Sequence, residues 1–279
     1  MKALAINGSP RKGWNTDLLL GKALEGAAST GYSTELIHLS DINFKGCTGC
    51  LECKRKGGKS LWACAVKDEL TSVLKEIAEC DAMILGSPIY FSEVTGMMRS
   101  FLERLLFPYV SYDEAGKTLF DRRIPILFIY TMNMPKAALD QIGYYDRFKS
   151  YEQLFGRMIG PCRTLVSTET LQTKDYSPYH MAMFDENQRK QRRDEIFPID
   201  CKKAYYHAVA LVSGKTVVSV SAMEKDLDEV MNLARYSGQP VYIKQDGGND
   251  IVLLSPQLYH EMKFDEEYPW PEGLDTPAE

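Results

Sequence analysis

Several features are missing from this sequence, and each absence removes a class of protein. No apolar run approaches the ~20 residues of a membrane-spanning helix. There is no excess of positive charge: a net charge of −5 over 279 residues argues against a general affinity for nucleic acid or an anionic membrane. No charged-then-apolar leader precedes the first apolar run, Ala3-Leu4-Ala5-Ile6, so the expected compartment is the cytoplasm. The glycine-containing loop that follows this run lacks both common phosphate-binding patterns. No Gly-Lys-Ser/Thr closes it, as a P-loop requires, and it holds no G-x-G-x-x-G. What is present, 44% apolar and 25% charged residues, is the composition of a soluble globular protein. The length permits one large domain or two.

That loop, Asn7-Gly8-Ser9-Pro10-Arg11-Lys12-Gly13-Trp14-Asn15-Thr16, joins the apolar run to Asp17-Leu18-Leu19-Leu20 and Ala23-Leu24, whose spacing is helical. A helix start presents unpaired N–H groups and the positive end of the helix dipole, which suits an anion. Ser9, Arg11, Asn15 and Thr16 add side-chain donors. The stretch reads as a phosphate cradle. The plain alternative is a capped turn, with Asn15 or Thr16 as the cap and Arg11 in solvent.

Further along, 33–39, 82–86, 124–130 and 164–166 read as strands. Segments 68–77, 95–106, 151–158 and 189–212 read as helices, the last with a break at Phe197-Pro198. Residues 40–66 form a long loop, and 87–91 and 131–133 are loops following strands. Strands alternating with helices make a parallel sheet covered on both faces. Ligands of such sheets sit at the carboxyl ends of the strands, where the loops after strands one, three and four all fall.

These loops carry a family resemblance. Gly8-Ser9-Pro10-Arg11 with Asn15-Thr16, followed by Gly86-Ser87-Pro88-Ile89-Tyr90-Phe91 and Gly96, resembles the NADPH-dependent FMN reductase family over roughly residues 1–210. The resemblance implies an α/β, flavodoxin-like fold with a doubly wound five-stranded parallel sheet. It implies that Ser9, Arg11, Asn15 and Thr16 hold the FMN phosphate. Pro88, Ile89, Tyr90 and Phe91 would lie along the isoalloxazine ring, and Thr131, Met132 and Asn133 would complete the ring site. Trp14 departs from the family pattern, which has a small residue there; it would narrow the phosphate loop or cover the flavin.

Four of the seven cysteines, Cys47, Cys50, Cys53 and Cys64, crowd into eighteen positions, which in a cytosolic chain points to metal or redox chemistry. Iron–sulfur clusters favour compact runs, whereas zinc usually takes two separated pairs. A loop of free thiols is the remaining reading. Cys47-x2-Cys50-x2-Cys53 resembles the motif of the iron–sulfur flavoproteins, a branch of the same family, which implies a [4Fe-4S] cluster with Cys64 as fourth ligand. Ten residues separate Cys53 from Cys64, where that branch has fewer, and the insert is basic. Cys80, Cys162 and Cys201 sit singly in apolar surroundings and read as core residues.

From residue 214 the pattern changes. Residues 216–220 read as a strand and 221–236 as an amphipathic helix capped by Ser221. A hairpin is expected from 241–244 and 251–254 around Asp246-Gly247-Gly248-Asn249, then a short helix over 255–259. Val218-Ser219-Val220-Ser221, Leu227-Asp228-Glu229-Val230, Gly238-Gln239-Pro240-Val241 and the run from Leu253 to Tyr259 resemble the N-terminal domain of Phd/YefM-type antitoxins. That family pairs with its own copy, binds operator DNA and blocks a toxin. Thirteen acids against five cations in 214–279 argue against DNA contact, which depends on Lys and Arg neutralising phosphates. The expected division is a flavodoxin-like FMN-binding domain at 1–213 and a small α+β module at 214–279 serving dimerisation or a partner.

The expected function is an FMN-dependent NAD(P)H oxidoreductase or flavin electron carrier, with a small-molecule or protein acceptor that the residues do not name. The alternatives are an iron–sulfur flavoprotein in one-electron transfer and a redox-sensing regulator that uses the antitoxin-like module. No acid–base residue is expected, since the flavin carries the chemistry. A homodimer or tetramer is expected, because the apolar stripe Leu227, Val230, Met231 and Ala234 needs a partner surface. No membrane or nucleic-acid partner is expected.

Overall fold

Five of the six residues of β1 (Lys2–Asn7) are buried, apolar ones on both faces, as an inner strand of a parallel sheet requires. In the computed structural model, which describes residues 1–113, 117–213, 217–244, 251–256 and 258, this strand has parallel neighbours on both sides. The strands are β1, β2 (Ser33–His38), β3 (Ala82–Tyr90), β4 (Glu93–Val94), β5 (Ile126–Thr131) and β6 (Cys162–Ser167). Their order is β2-β1-β3-β5-β6, parallel throughout, with β4 antiparallel to the end of β3. That is the flavodoxin-like doubly wound order. Register runs Ile6 opposite Leu85 and Leu85 opposite Phe128.

Alternation along the strands divides the core. Leu4, Ile6, Met83, Leu85, Phe128 and Tyr130 pack under α2 (Leu70–Glu79), α3 (Gly96–Leu106) and α4 (Tyr144–Met158). Ala5, Ile84, Leu127 and Ile129 pack under α1 (Asn15–Ser29) and α6 (Phe197–Ser213). The two covering helices cross closely at Gly26, where a Cβ would stand 2.2 Å from the Tyr205 carbonyl oxygen. α5 (Glu186–Glu195) precedes α6, with the break at Phe197 as expected. Strand order reverses between β1 and β3, so the crevice for a ligand opens at their carboxyl ends.

Two expectations about these elements are corrected. β3 does not stop at Gly86 but runs through Ser87, Pro88, Ile89 and Tyr90 into a hairpin with β4. Pro88 is tolerated because the ladder to β1 ends at Gly86, so that at Pro88 only β5 still runs beside the strand. α4 begins at Tyr144 rather than Tyr151, carried by Tyr144, Phe148, Tyr151 and Phe155 on one buried stripe.

Beyond α6 come β7 (Val217–Ser219), α7 (Val220–Lys225), α8 (Leu227–Tyr236), β8 (Val241–Lys244) and β9 (Ile251–Leu253). β8 pairs with β7 in parallel and with β9 in antiparallel fashion. The expected single helix is therefore two. Asp226 caps the second, its carboxylate accepting the Glu229 N–H at 2.9 Å, so the cap does not fall at Ser221. Val230, Leu233 and Ala234 pack on Tyr206, Val209 and Ala210 of α6, while Leu227 is exposed. The stripe thus finds the partner surface it needs on α6 of the same chain, and it gives no ground for expecting a second copy. Residues 214–216, the Asp246–Asn249 turn, Gln257 and Tyr259 of the short helix, and the acidic tail lie outside the described residues. Among the described residues, no helix is long and apolar enough to cross a membrane.

Candidate functional site

The loop after β1 is shaped by its own side chains. The Gly8 N–H donates to the Gly86 carbonyl at 2.8 Å, and a Cβ on Gly8 would stand 2.8 Å from Met98 Cβ, so only glycine lets the loop lie on α3. The Ser9 N–H donates to Asn7 Oδ1 (2.8 Å), and Ser9 Oγ accepts the Arg11 N–H (3.2 Å). The Asp17 carboxylate reaches back to the Gly13 N–H (2.6 Å) and the Asn7 amide (2.9 Å). Trp14 occupies the cap position of α1 without a side-chain cap bond, so neither Asn15 nor Thr16 caps the helix.

The four expected phosphate donors lie together here, each already engaged. Ser9 and Thr16 are buried, and Thr16 Oγ1 pairs with Thr131 Oγ1 at 2.8 Å, joining the loop after β1 to the end of β5. Arg11 lies 3.7 Å over the Trp14 ring and donates from Nη1 to the Gln172 carbonyl (2.5 Å). Trp14 therefore fixes the Arg11 guanidinium at the rim by a cation–π contact. The Asn15 amide donates to the Leu171 carbonyl (2.8 Å) and accepts from Arg193 Nη1 (2.7 Å). Residues 171–172, after β6, thus flank the loop. Sequence reading missed them because backbone carbonyls leave no side-chain signature.

Pro88, Ile89, Tyr90 and Phe91 form the hairpin on the other side. Ile89 pairs with Val94 and Tyr90 with Glu93, leaving Phe91 and Ser92 as the turn, with φ of +50° and +67°. Such turns favour Asn-Gly, so the backbone here is strained. Phe91 is fully exposed and Tyr90 is 47% exposed. α4 braces the tip: Arg147 Nη1 donates to the Ser92 carbonyl (3.1 Å) and the Tyr151 hydroxyl to Glu93 (2.8 Å). Thr95, also missed from sequence, ties the parts together. Its hydroxyl donates to the Gly8 carbonyl (2.7 Å) and accepts the Met98 N–H (3.2 Å), while its N–H donates to Ser87 Oγ (3.1 Å).

Thr131, expected in the loop, is instead the last residue of β5; it and Met132 are buried, and the Met132 N–H donates to the Ser167 carbonyl at 3.0 Å. The Asn133 carboxamide is buried with neither Oδ1 nor Nδ2 hydrogen-bonded. A buried unpaired amide is costly and points to a group that pairs with it.

The four loop cysteines line one small apolar cavity with Phe107, Pro108 and Arg104. Cys47 and Cys50 are exposed, Cys64 is half-buried and Cys53 is buried, its thiol pKa pushed up chiefly by burial. Among the described residues no three Cys, His, Asp or Glu side chains converge on a single-ion position. Four thiols around one cavity are the kind of donor set that an iron–sulfur cluster takes. Lys54, from the basic insert, anchors the loop by donating to the Pro108 carbonyl (2.7 Å) beside the Phe107 and Trp62 rings. The remaining thiols are pushed up mainly by burial, Cys80 to about 11, and Cys162 and Cys201 upward, as befits unreactive residues. Cys201 also lines a separate groove of about 580 Å³ with Arg193, Phe197 and Tyr205.

Sheet order and crevice define a flavodoxin-like protein with its candidate site at the switch between β1 and β3. Residues 1–138 match the model of the NADPH-dependent FMN reductase family. Over 104 residues the chain is 39% identical to an iron-sulfur flavoprotein of Methanocaldococcus jannaschii, covering 37% of this chain and 51% of that protein. An iron-sulfur flavoprotein of Archaeoglobus fulgidus is 42% identical over 104 residues, 37% of this chain and 48% of that protein. These matches support the NADPH-dependent FMN reductase family. The chain spans about half the length of the curated relatives it matches. Among solved structures, an NAD(P)H:quinone oxidoreductase from Methanothermobacter marburgensis superposes with a TM-score of 0.58 at 14% identity, over 76% of this chain and 98% of that one. An FMN-dependent NADH-azoreductase from Bacillus anthracis gives 0.51 at 13% identity, over 76% and 99%. At such identities the likeness is one of fold.

Proposed function

We propose that this chain binds FMN at the carboxyl ends of β1, β3 and β5 and passes electrons from NAD(P)H through it to a small-molecule or protein acceptor. The observation that carries the reading is convergence: three separate segments meet at one end of the sheet, and one of them holds the unpaired Asn133 amide. When bound, the flavin supplies the hydride and electron chemistry. The chain's own residues bind and orient. Ser9, Arg11, Asn15, Thr16 and the start of α1 receive the phosphate. Pro88, Ile89, Tyr90 and Phe91 give the ring an apolar face and backbone bonds at its edge. Thr131, Met132 and Asn133 close the ring site, the Asn133 amide donating and accepting at the ring edge. Arg11 and Asn15 exchange their contacts with the 171–172 carbonyls for the phosphate. In an anaerobic mixture of chain, FMN and NADPH or NADH, the bound flavin's visible absorbance should bleach. Bound flavin that neither nucleotide bleaches would remove the NAD(P)H step.

A second reading is favoured by the shared cavity of Cys47, Cys50, Cys53 and Cys64 and by the iron-sulfur flavoproteins among the relatives. In it the loop holds a [4Fe-4S] cluster that carries single electrons between flavin and a carrier protein. Iron and sulfide measured after anaerobic purification test it; fewer than about two irons per chain rejects it. The antitoxin-like regulator reading gains no comparable observation among the described residues.

A further inference from the structure

Arg104, on α3, has a fully buried side chain beside the cysteine loop. Its Nε–H donates to Cys64 Sγ at 3.3 Å, Nη1 donates to the Lys45 carbonyl at 3.1 Å and to the Asp68 carboxylate, and Nη2 donates to the Val66 carbonyl at 3.2 Å. Lys45 precedes Cys47 by two residues, and Val66 follows Cys64 by two. One guanidinium therefore ties both ends of the loop and touches one of its sulfurs.

The arrangement is expensive for a loop that only needs to close. A buried guanidinium must be fully paired, and an apolar side chain of similar size commonly serves stability as well or better. A neutral thiol is also a weak acceptor, whereas a thiolate forms a strong charge-assisted bond with a guanidinium N–H. Burial alone would raise the Asp68 carboxyl pKa; the Arg104 guanidinium overcomes this and holds it below its ordinary value, so the pair stays ionised.

We propose that Arg104 is a positioning residue for the cluster site: it closes the base of the loop so that the four thiolates share one cavity, and its Nε–H donates to Cys64 sulfur in the ligating form. The proposal rests on the cluster reading above. Hydrogen bonds and positive charge beside cluster sulfurs favour the reduced state and raise the potential.

The test uses the full chain, reconstituted anaerobically with iron and sulfide, with FMN binding as the check that each variant is folded. Arg104→Lys keeps the charge but cannot span the thiol and both carbonyls. It should bind FMN as the unaltered chain does, lose at least about half of its iron, and give a shifted EPR signal and a lower midpoint potential for any cluster that remains. Arg104→Gln should lose most of the iron. Wild-type iron content, EPR signal and potential in a folded Arg104→Lys would overturn the proposal. Should neither variant fold, the unaltered chain grown with ¹⁵N-arginine should show a ¹⁵N coupling to the reduced cluster by pulsed EPR, and absence of that coupling overturns the proposal equally. An unaltered chain that takes up no iron rejects the cluster reading itself, and Arg104's role with it. An iron-loaded chain with indifferent variants rejects Arg104 alone.

Discussion

Asn133 and Arg11 divide the labour of the site, and a pair of ligands separates them. Arg11 stands at the exposed rim and should bond the phosphate; the Asn133 amide is buried and should bond the ring. Arg11→Ala should weaken FMN binding about tenfold to a hundredfold, while leaving riboflavin, which has no phosphate, nearly unaffected. Asn133→Ala should weaken both flavins alike, by roughly tenfold. Equal losses for the two flavins in Arg11→Ala would place its role elsewhere. His207, on α6, makes a different kind of statement. It is buried against Gly238 with Nδ1 unpaired, and burial first, then Arg163 and Lys203, drives its pKa down to about 3. The unfolded chain takes up that proton near about pH 6.5 and the folded chain only near about 3. The neutral imidazole's contribution is therefore complete above about pH 6.5 and is lost as the pH falls below it, by about 2 kcal/mol near pH 5. Urea midpoints across that range should fall toward acid, and the fall should flatten in His207→Phe.

The hairpin from β3 to β4 is the element in which stability and binding compete. Phe91 and Ser92 hold positive φ without being glycine or asparagine. Replacing them together by Asn-Gly should stabilise the chain by about 1 kcal/mol and weaken FMN binding, because it removes the exposed ring from the tip. A gain in melting temperature with unchanged FMN affinity would show that the tip is not part of the ring site. The α1–α6 crossing admits no such exchange. Gly26→Ala puts a methyl against the Tyr205 carbonyl and should cost about 1–3 kcal/mol, read from the urea midpoint. The same elements show what was legible beforehand. β1, β5 and β6 announced themselves as apolar runs, and Ser9, Arg11, Asn15 and Thr16 as donors at a helix start. The extension of β3 was hidden because Pro88 reads as a strand breaker, and only the sheet register shows that β1 has ended before it while β5 and then β4 continue alongside. Thr95, Arg104 and the 171–172 carbonyls were hidden because their partners are distant in sequence and were visible only once α3 and the segment after β6 were in place.

Across the whole molecule, α3 links the two candidate centres: its start is tied to the phosphate loop through Thr95 and Gly8, and its last turns carry Arg104 to the cysteine cavity. The C-terminal segment packs on α6 through Val230, Leu233 and Ala234, so among the described residues this stripe is not free for pairing. A homodimer, if formed, should then form through the flavodoxin-like part, where Tyr90 and Phe91 are exposed. Light scattering should give a mass above that of one chain, reduced in Phe91→Ser; a monomeric mass for the unaltered chain rejects pairing altogether. The central claim, that FMN binds where β1, β3 and β5 end, is tested most directly by titrating the flavin-free chain with FMN and following quenching of flavin fluorescence. The expected result is saturable quenching at one FMN per chain, weakened in Arg11→Ala and Asn133→Ala. Unquenched fluorescence at every protein concentration would contradict it.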